Sequence, residues 1–277
     1  MLDVRYFCSW WGLDHLGVEP MLRKIRDAGF DGVEIGVPAD GPGQEALHSA
    51  LETHGLQFIA HQYQAEGDFA DYRLSLRRSL ERAAAARPLF INSHTGRDYW
   101  TVEQNLDLID IAQDVQDRLG VPILHESHRG RFLYSAPAAV EYFARRPNLR
   151  ITADLTHWVI AAESLLVGHE AALEEAVRRT EHIHVRVGSA ELPQVDDPLS
   201  PRWSQELQAF SEWWLRIARR FRREGRDLLT ITFEFGPPPY CPIHPDTGEP
   251  VADFFEINVR MKDYMIDYLG KRLTDAA

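Results

Sequence analysis

Apolar and polar positions along the chain follow two alternating periods. Short β-type runs occur at Val4–Ser9, Gly32–Val37, Gln57–Gln62, Leu89–His94, Pro122–Ser127, Arg150–Leu155, His182–Val187 and Leu229–Phe235, each of strand length. Between them, apolar residues three or four apart among good helix formers predict helices, as in Leu74–Ala86, Val102–Leu119, Leu165–Arg179 and Glu206–Arg223. Phe254, Ile257, Met261, Met265 and Leu269 form a final series of the same spacing, which predicts a closing helix. The punctuation agrees. Gly29 and Gly120 stand where a helix ends in a left-handed residue before a strand. Thr101 stands where the next helix needs an N-cap.

Eight strands alternating with helical segments, beginning on a strand and ending on a helix, predict a single (β/α)8 barrel, the TIM-barrel architecture, over residues 1–277. The strand ends recur at intervals of about 30 residues, the length of a βα unit. The last interval is much longer and points to an insertion at about 188–203, rich in proline and acid. Such a loop lies at the C-terminal face of a barrel, as a lid or as a rigid excursion. The competing architecture is an open doubly wound sheet, but no GxGxxG follows the first strand, which disfavours its dinucleotide-binding form.

Composition narrows the function. Of 277 residues, 30 are basic and 42 acidic, a net charge of −12. Nucleic-acid binders rely on clustered Lys and Arg, so no nucleic-acid partner is expected. No run approaches the roughly 20 apolar residues of a membrane helix, and the N-terminus lacks a basic stretch followed by an apolar one. A cytoplasmic protein without a membrane partner is expected. The two cysteines, Cys8 and Cys241, have neither CxxC nor zinc-finger spacing and are expected to be free thiols.

The parity of the late strands carries the chemistry. In the seventh, His182, His184 and Arg186 share one face, opposite Ile183, Val185 and Val187. In the eighth, Thr230, Thr232 and Glu234 oppose Ile231, Phe233 and Phe235. In the sixth, Thr152 and Asp154 oppose Ile151, Ala153 and Leu155. The apolar face of a barrel strand meets the helices, so Asp154, His184 and Glu234 point inward near the strand ends. Glu126 joins them from the fifth strand. Two unit charges about 4 Å apart repel by roughly 4 kcal/mol at an effective dielectric near 20. Three mutually close carboxylates therefore need protons, basic partners such as Arg186, or a divalent cation. Carboxylates with one imidazole and no thiolate favour Mn²⁺, with Mg²⁺, Co²⁺ or Zn²⁺ as alternatives.

Other residues fall near the same mouth. His61 and His94 end the third and fourth strands, and His157 follows Asp154 by three residues. They are candidates for substrate hydroxyls or a second metal, against ordinary rim histidines. His125 has the opposite parity to Glu126 and should face away. Trp10 and Trp11 follow the first strand. An indole face there suits a sugar ring, or packs at the barrel mouth. Arg129 and Arg131 either grip an anion or are solvated loop residues. The parity of Glu34 allows an inward position, but no partner can be named.

The residues Ala28-Gly29-Phe30-Asp31-Gly32-Val33-Glu34, His125-Glu126-Ser127-His128, Ala153-Asp154-Leu155-Thr156-His157, His182-Ile183-His184-Val185 and Phe233-Glu234-Phe235 together resemble the xylose-isomerase-like TIM barrels, a superfamily of sugar isomerases and epimerases. The resemblance spans nearly the whole chain. Each piece is weak alone; their order and spacing are specific. It implies a metal-dependent isomerase or epimerase acting on a sugar or related polyol ketone through an enediolate. By the pattern of ketose 3-epimerases, Glu126, Asp154, His184 and Glu234 bind one divalent metal, Glu126 and Glu234 serve as acid and base, and His157 touches substrate. A small carbohydrate is the implied partner, and a homodimer the family habit. The departure lies after His184, where the epimerases carry a glutamate and this chain reads Val185-Arg186-Val187-Gly188. Arg186 then takes a different substrate-binding role, and an inosose-dehydratase-like lyase becomes the alternative. Apurinic-site endonucleases share the barrel with three zinc ions, and His61, His94 and His157 with the quartet match that richer set. Their Asp-x-His pair after the seventh strand is missing in Val195-Asp196-Asp197-Pro198-Leu199.

Overall fold

The computed structural model describes residues 2–274. Eight parallel strands close into a barrel in chain order: β1 (Asp3–Ser9), β2 (Gly32–Ile35), β3 (Gln57–Gln62), β4 (Ile91–Ser93), β5 (Ile123–Glu126), β6 (Ile151–Ala153), β7 (Thr180–Val185) and β8 (Leu228–Phe233), with β8 pairing back onto β1. The helices among the described residues are α1 (Val18–Asp27), α2 (Gly41–His54), α3 (Phe69–Ala85), α4 (Val102–Leu119), α5 (Ala136–Arg145), α6 (Thr156–Ala162), α7 (Glu170–Arg179), α8 (Ser204–Arg223) and α9 (Phe254–Thr274). This is the (β/α)8 barrel expected from the alternation of periods. No helix among the described residues is long and apolar enough to cross a membrane.

Local chemistry sets the helix ends. Thr101 accepts from the Gln104 amide while the Gln104 side chain accepts from the Thr101 amide, a reciprocal cap for α4. Asp40 and Asp68 cap α2 and α3 through their side chains alone, accepting from the Gly43 amide and from the Ala70 and Asp71 amides. Gly29 and Gly120 adopt the left-handed conformation after α1 and α4. The helix expected over Leu165–Arg179 is shorter. It starts at Glu170, and a separate turn, α6, precedes it. Glu163 and Leu166 both take positive φ, which breaks helical hydrogen bonding between the two. Leu166 is buried all the same, so its apolar character extended the helical pattern across a loop.

Two apolar layers organise the barrel. The large core lies between strands and helices and takes in Ile151, Ala153, Ile183, Val185, Ile231 and Phe233. A second, small cluster of Phe7, Ile59, Phe90 and Leu124 comes from the opposite strand faces and fills the barrel interior. Gly32 makes room for it: a Cβ there would stand 2.3 Å from the Gln57 carbonyl oxygen and 2.4 Å from the Phe7 ring. The inner face turns polar toward the C-terminal ends of the strands. There Glu34 of β2 reaches His182 and His184 of β7. Strands β2 and β7 are not neighbours in the wall, so these contacts cross the interior.

The segment at 188–203 is packed rather than free. Val195 is fully buried, the Val195 amide donates to the Val187 carbonyl, and a short 3-10 helix at Pro201–Trp203 leads into α8. The long interval before β8 thus combines this segment with a 20-residue helix.

Candidate active site

Glu126 ends β5, Asp154 follows β6, His184 lies in β7 and Glu234 follows β8. All four are buried, and one ligand atom from each lies within 4.8 Å of those of the other three. His184 Nδ1 stands 3.0 Å from Glu234 Oε2 and 3.8 Å from Glu126 Oε2. The site is therefore built from the strand ends whose parity pointed to it.

Each member is fixed by its neighbours. The Glu126 Oε2 atom accepts a 2.6 Å hydrogen bond from Asn92 Nδ2 and lies 3.1 Å from His94 Nε2, while its Oε1 is buried without a partner. The Asp154 Oδ1 atom accepts from the backbone amide of Thr156 at 3.1 Å and from its hydroxyl. Asp154 thus lies between the end of β6 at Ala153 and the start of α6 at Thr156. The Asp154 Oδ2 atom pairs with Arg186 Nη2, which lies 3.0 Å from His157 Nε2 and 3.8 Å from Glu234 Oε2. Arg186 thus belongs to the site, as a basic partner of its carboxylates.

The electrostatics follow from this crowding. For His184, burial alone would lower the pKa, but the surrounding carboxylates of Glu34, Glu234 and Glu126 outweigh it and raise it well above the usual value. For Glu234, burial would raise the pKa, but His184 and Arg186 bring it down to about 2. Burial, reinforced by the neighbouring imidazoles, holds His94 and His157 well below the usual histidine range. His128 lies between them, its ring tilted at 4.3 Å and 4.0 Å from theirs, and burial pushes it down to about 3. Burial therefore favours the neutral form of all three imidazoles, which is able both to donate and to accept.

His61 and His94 meet at 3.2 Å between their Nε2 atoms and form a second potential ligand group with Glu126. Trp10 lies beside Tyr63, which in turn contacts His61, so the indole joins the rim through an intermediate ring. Trp11 packs against Gly236 and edge-on to Tyr240 at 4.8 Å. Arg129 and Arg186 each lie against the Tyr240 ring, at 4.8 and 4.9 Å from its centroid. His125 faces away from the mouth and meets Thr95 and Phe132. Cys8 and Cys241 are free thiols.

Three residues of the site had no assigned partner or role in the sequence. Glu34 makes contacts with His182, His184 and Asn92. Asn92 bridges Glu34 and Glu126. His128 completes the imidazole row. The available signal was parity: Glu34 alternates with apolar Val33 and Ile35, and Asn92 lies between Ile91 and Ser93. Both patterns allow an inward side chain without naming what it meets.

The donor set fits a divalent ion. It offers three carboxylates and one imidazole, no thiolate, and a buried Glu126 oxygen that no protein group satisfies. A family model described as xylose isomerase-like TIM barrel matches residues 22–239. No curated protein matches the chain by sequence. Among solved structures, a 3-keto-D-glucoside 4-epimerase from E. coli superposes with a TM-score of 0.65 at 15% identity, covering 96% of this chain and 100% of that one. A putative xylose isomerase from Rhodospirillum rubrum gives 0.62 at 14%, covering 94% and 99%. A probable 3-DHS dehydratase from Bacillus anthracis gives 0.54 at 13%, covering 83% and 92%. At these identities the likeness is one of fold.

Proposed function

The chain belongs to the xylose isomerase-like TIM-barrel family, and on that premise we propose that it is a divalent-metal-dependent isomerase or epimerase of a small sugar or related polyol ketone. The observation that carries the reading is the convergence of Glu126, Asp154, His184 and Glu234 at the C-terminal mouth, with a buried Glu126 oxygen left free. These four residues would hold one ion, with Mn²⁺ favoured by the oxygen-rich set. When bound, the ion supplies a Lewis acid for the carbonyl beside the reacting carbon.

The chain supplies the proton chemistry. Glu126 and Glu234 come from strands three places apart in the wall, so they approach a substrate in the mouth from different sides. One removes the proton next to the carbonyl and the other returns a proton to the planar carbon. Glu234 faces the same space, with its Oε2 atom 3.0 Å from His184 Nδ1. His157, His94, His61 and Arg186 line the same space and bind substrate oxygens. Trp10 contributes an apolar face at the rim.

The test is solvent-deuterium incorporation into a panel of ketoses and inososes incubated with the Mn²⁺-loaded protein. Exchange at the carbon next to the carbonyl, with isomer formation, supports the reading. Elimination of water instead assigns the site to a lyase. No exchange across the panel contradicts it.

A further inference from the structure

We propose that Glu34 is a positioning residue that aims His184 at the ion site, and that Asn92 locks this aim to Glu126. The inference rests on the reading that the quartet holds a divalent ion. It adds to that reading a second layer of residues beneath the ligands.

The two nitrogens of His184 face different neighbours. Nδ1 faces the quartet, 3.0 Å from Glu234 Oε2. Nε2 faces the barrel interior, 3.0 Å from Glu34 Oε2. Both nitrogens face a carboxylate, which only accepts when ionised; a cation at the quartet would take the place of the proton on Nδ1, while Glu34 keeps the proton on Nε2 and so presents Nδ1 as the ligand atom. The same carboxylate pattern behind a ligand imidazole fixes ring orientation and raises ligand basicity in metal sites generally.

Glu34 is itself held on every side. Its Oε1 atom accepts a 2.7 Å hydrogen bond from Asn92 Nδ2, and that same amide nitrogen donates its second proton to Glu126 Oε2 at 2.6 Å. Its Oε2 atom also lies 3.2 Å from His182 Nε2. The other nitrogen of His182 lies 2.9 Å from the Thr230 carbonyl oxygen and 2.7 Å from its hydroxyl, and Nε2 also meets the Thr232 hydroxyl at 2.9 Å, so the ring beside Glu34 is held from both edges. Both Glu34 oxygens are therefore filled by protein donors, and the side chain is buried on the far side of His184 from the quartet. Glu34 thus meets the Nε2 side of His184 while the quartet meets its Nδ1 side, a placement suited to orienting the ring. A buried carboxylate at a barrel centre is a poor source of stability compared with an apolar residue of the same volume, so its placement calls for a role of this kind.

Calorimetric titration of metal-stripped protein with Mn²⁺ tests this in a double-mutant cycle of Glu34→Gln and His184→Gln. Glu34→Gln is expected to weaken Mn²⁺ binding by about 10- to 100-fold. In the His184→Gln background, where the remaining three carboxylates bind more weakly and the titration is run at correspondingly higher Mn²⁺, the same change is expected to alter affinity less than about twofold, because Glu34 acts through that ring. A purely structural Glu34 would weaken binding equally in both backgrounds, and that result overturns the proposal. So does wild-type affinity in Glu34→Gln. Absence of Mn²⁺ binding by the wild type overturns the metal reading itself, and this inference with it. Should Glu34→Gln fail to fold, Asn92→Ser enters the same cycle, with an expected loss of about tenfold in the wild-type background and no loss after His184→Gln; equal losses in both overturn it.

Discussion

The side-chain amide of Gln194 is clamped to the backbone of Gly236: its Nε2 donates to the Gly236 carbonyl at 3.1 Å, and its Oε1 accepts from the Gly236 amide at 2.8 Å. Gly236 follows Glu234 by two residues, and a Cβ there would lie 2.1 Å from the Trp11 ring. The segment after β7 is thereby tied to the strand end that carries Glu234, as a fixed wall of the mouth. Replacing Gln194 with alanine strands a buried donor and a buried acceptor, each worth about 1–3 kcal/mol. Gln194→Ala is expected to lose about 2–4 kcal/mol in urea unfolding and to reduce deuterium exchange by about tenfold, because Glu234 loses its support. Unchanged unfolding and exchange would show that the clamp is idle.

Gly32 predicts a steric effect of a different kind. Its missing Cβ would collide with the Gln57 carbonyl oxygen, which cannot move without breaking the β2–β3 pairing, and with Phe7 of the inner cluster. Gly32→Ala is expected to cost at least about 3 kcal/mol, the upper range for overpacking, or to prevent soluble expression. Gly41, in the first turn of α2, has open space around it and serves as the control. Gly41→Ala is expected to stay within about 0.5 kcal/mol of the wild type. Equal effects in the two variants, measured by urea unfolding, would contradict the packing described for the inner cluster.

How far the sequence foretold this arrangement depended on what sets each feature. Strand parity is a local property, and it put Glu126, Asp154, His184 and Glu234 on one side of the wall because Ile183, Val185, Ile231 and Phe233 claim the other. Closing the barrel then brought them together. Glu34 and Asn92 were beyond reach for the opposite reason. Their partners lie on other strands and, for Glu34, across the interior, so only the closed barrel reveals the contact. The helix boundary at Glu170 was misplaced because a buried loop residue, Leu166, mimics a helical apolar position. The segment at 188–203 looked equally like a lid or a rigid excursion, since nothing in its composition declares the bond from Gln194 to Gly236.

Glu126→Gln and Glu234→Gln separate chemistry from folding. Each keeps the side-chain shape and removes the proton acceptor, so exchange of the substrate identified by the deuterium screen is expected to fall by about 10²- to 10⁴-fold. Circular dichroism is expected to show an intact barrel in both. Full turnover in both variants would remove these two residues from the acid and base roles.

Arg186 supplies a further test, since it is buried and pairs with Asp154 while lying near Glu234. Arg186→Met leaves Asp154 without its basic partner, and loss of one member of a buried pair typically costs about 3–5 kcal/mol. Metal-free protein is expected to show that loss in urea unfolding. A variant as stable as the wild type would mean that Asp154 does not depend on the guanidinium.

The measurement that bears most directly on the account is the metal content of the purified protein and of its Asp154→Asn and His184→Gln variants, read by inductively coupled plasma mass spectrometry after dialysis against Mn²⁺. One equivalent of divalent ion per wild-type chain, and little in either variant, is the expected result. A wild-type chain that retains no ion, or variants that retain as much as the wild type, would contradict the claim that Glu126, Asp154, His184 and Glu234 form a metal site.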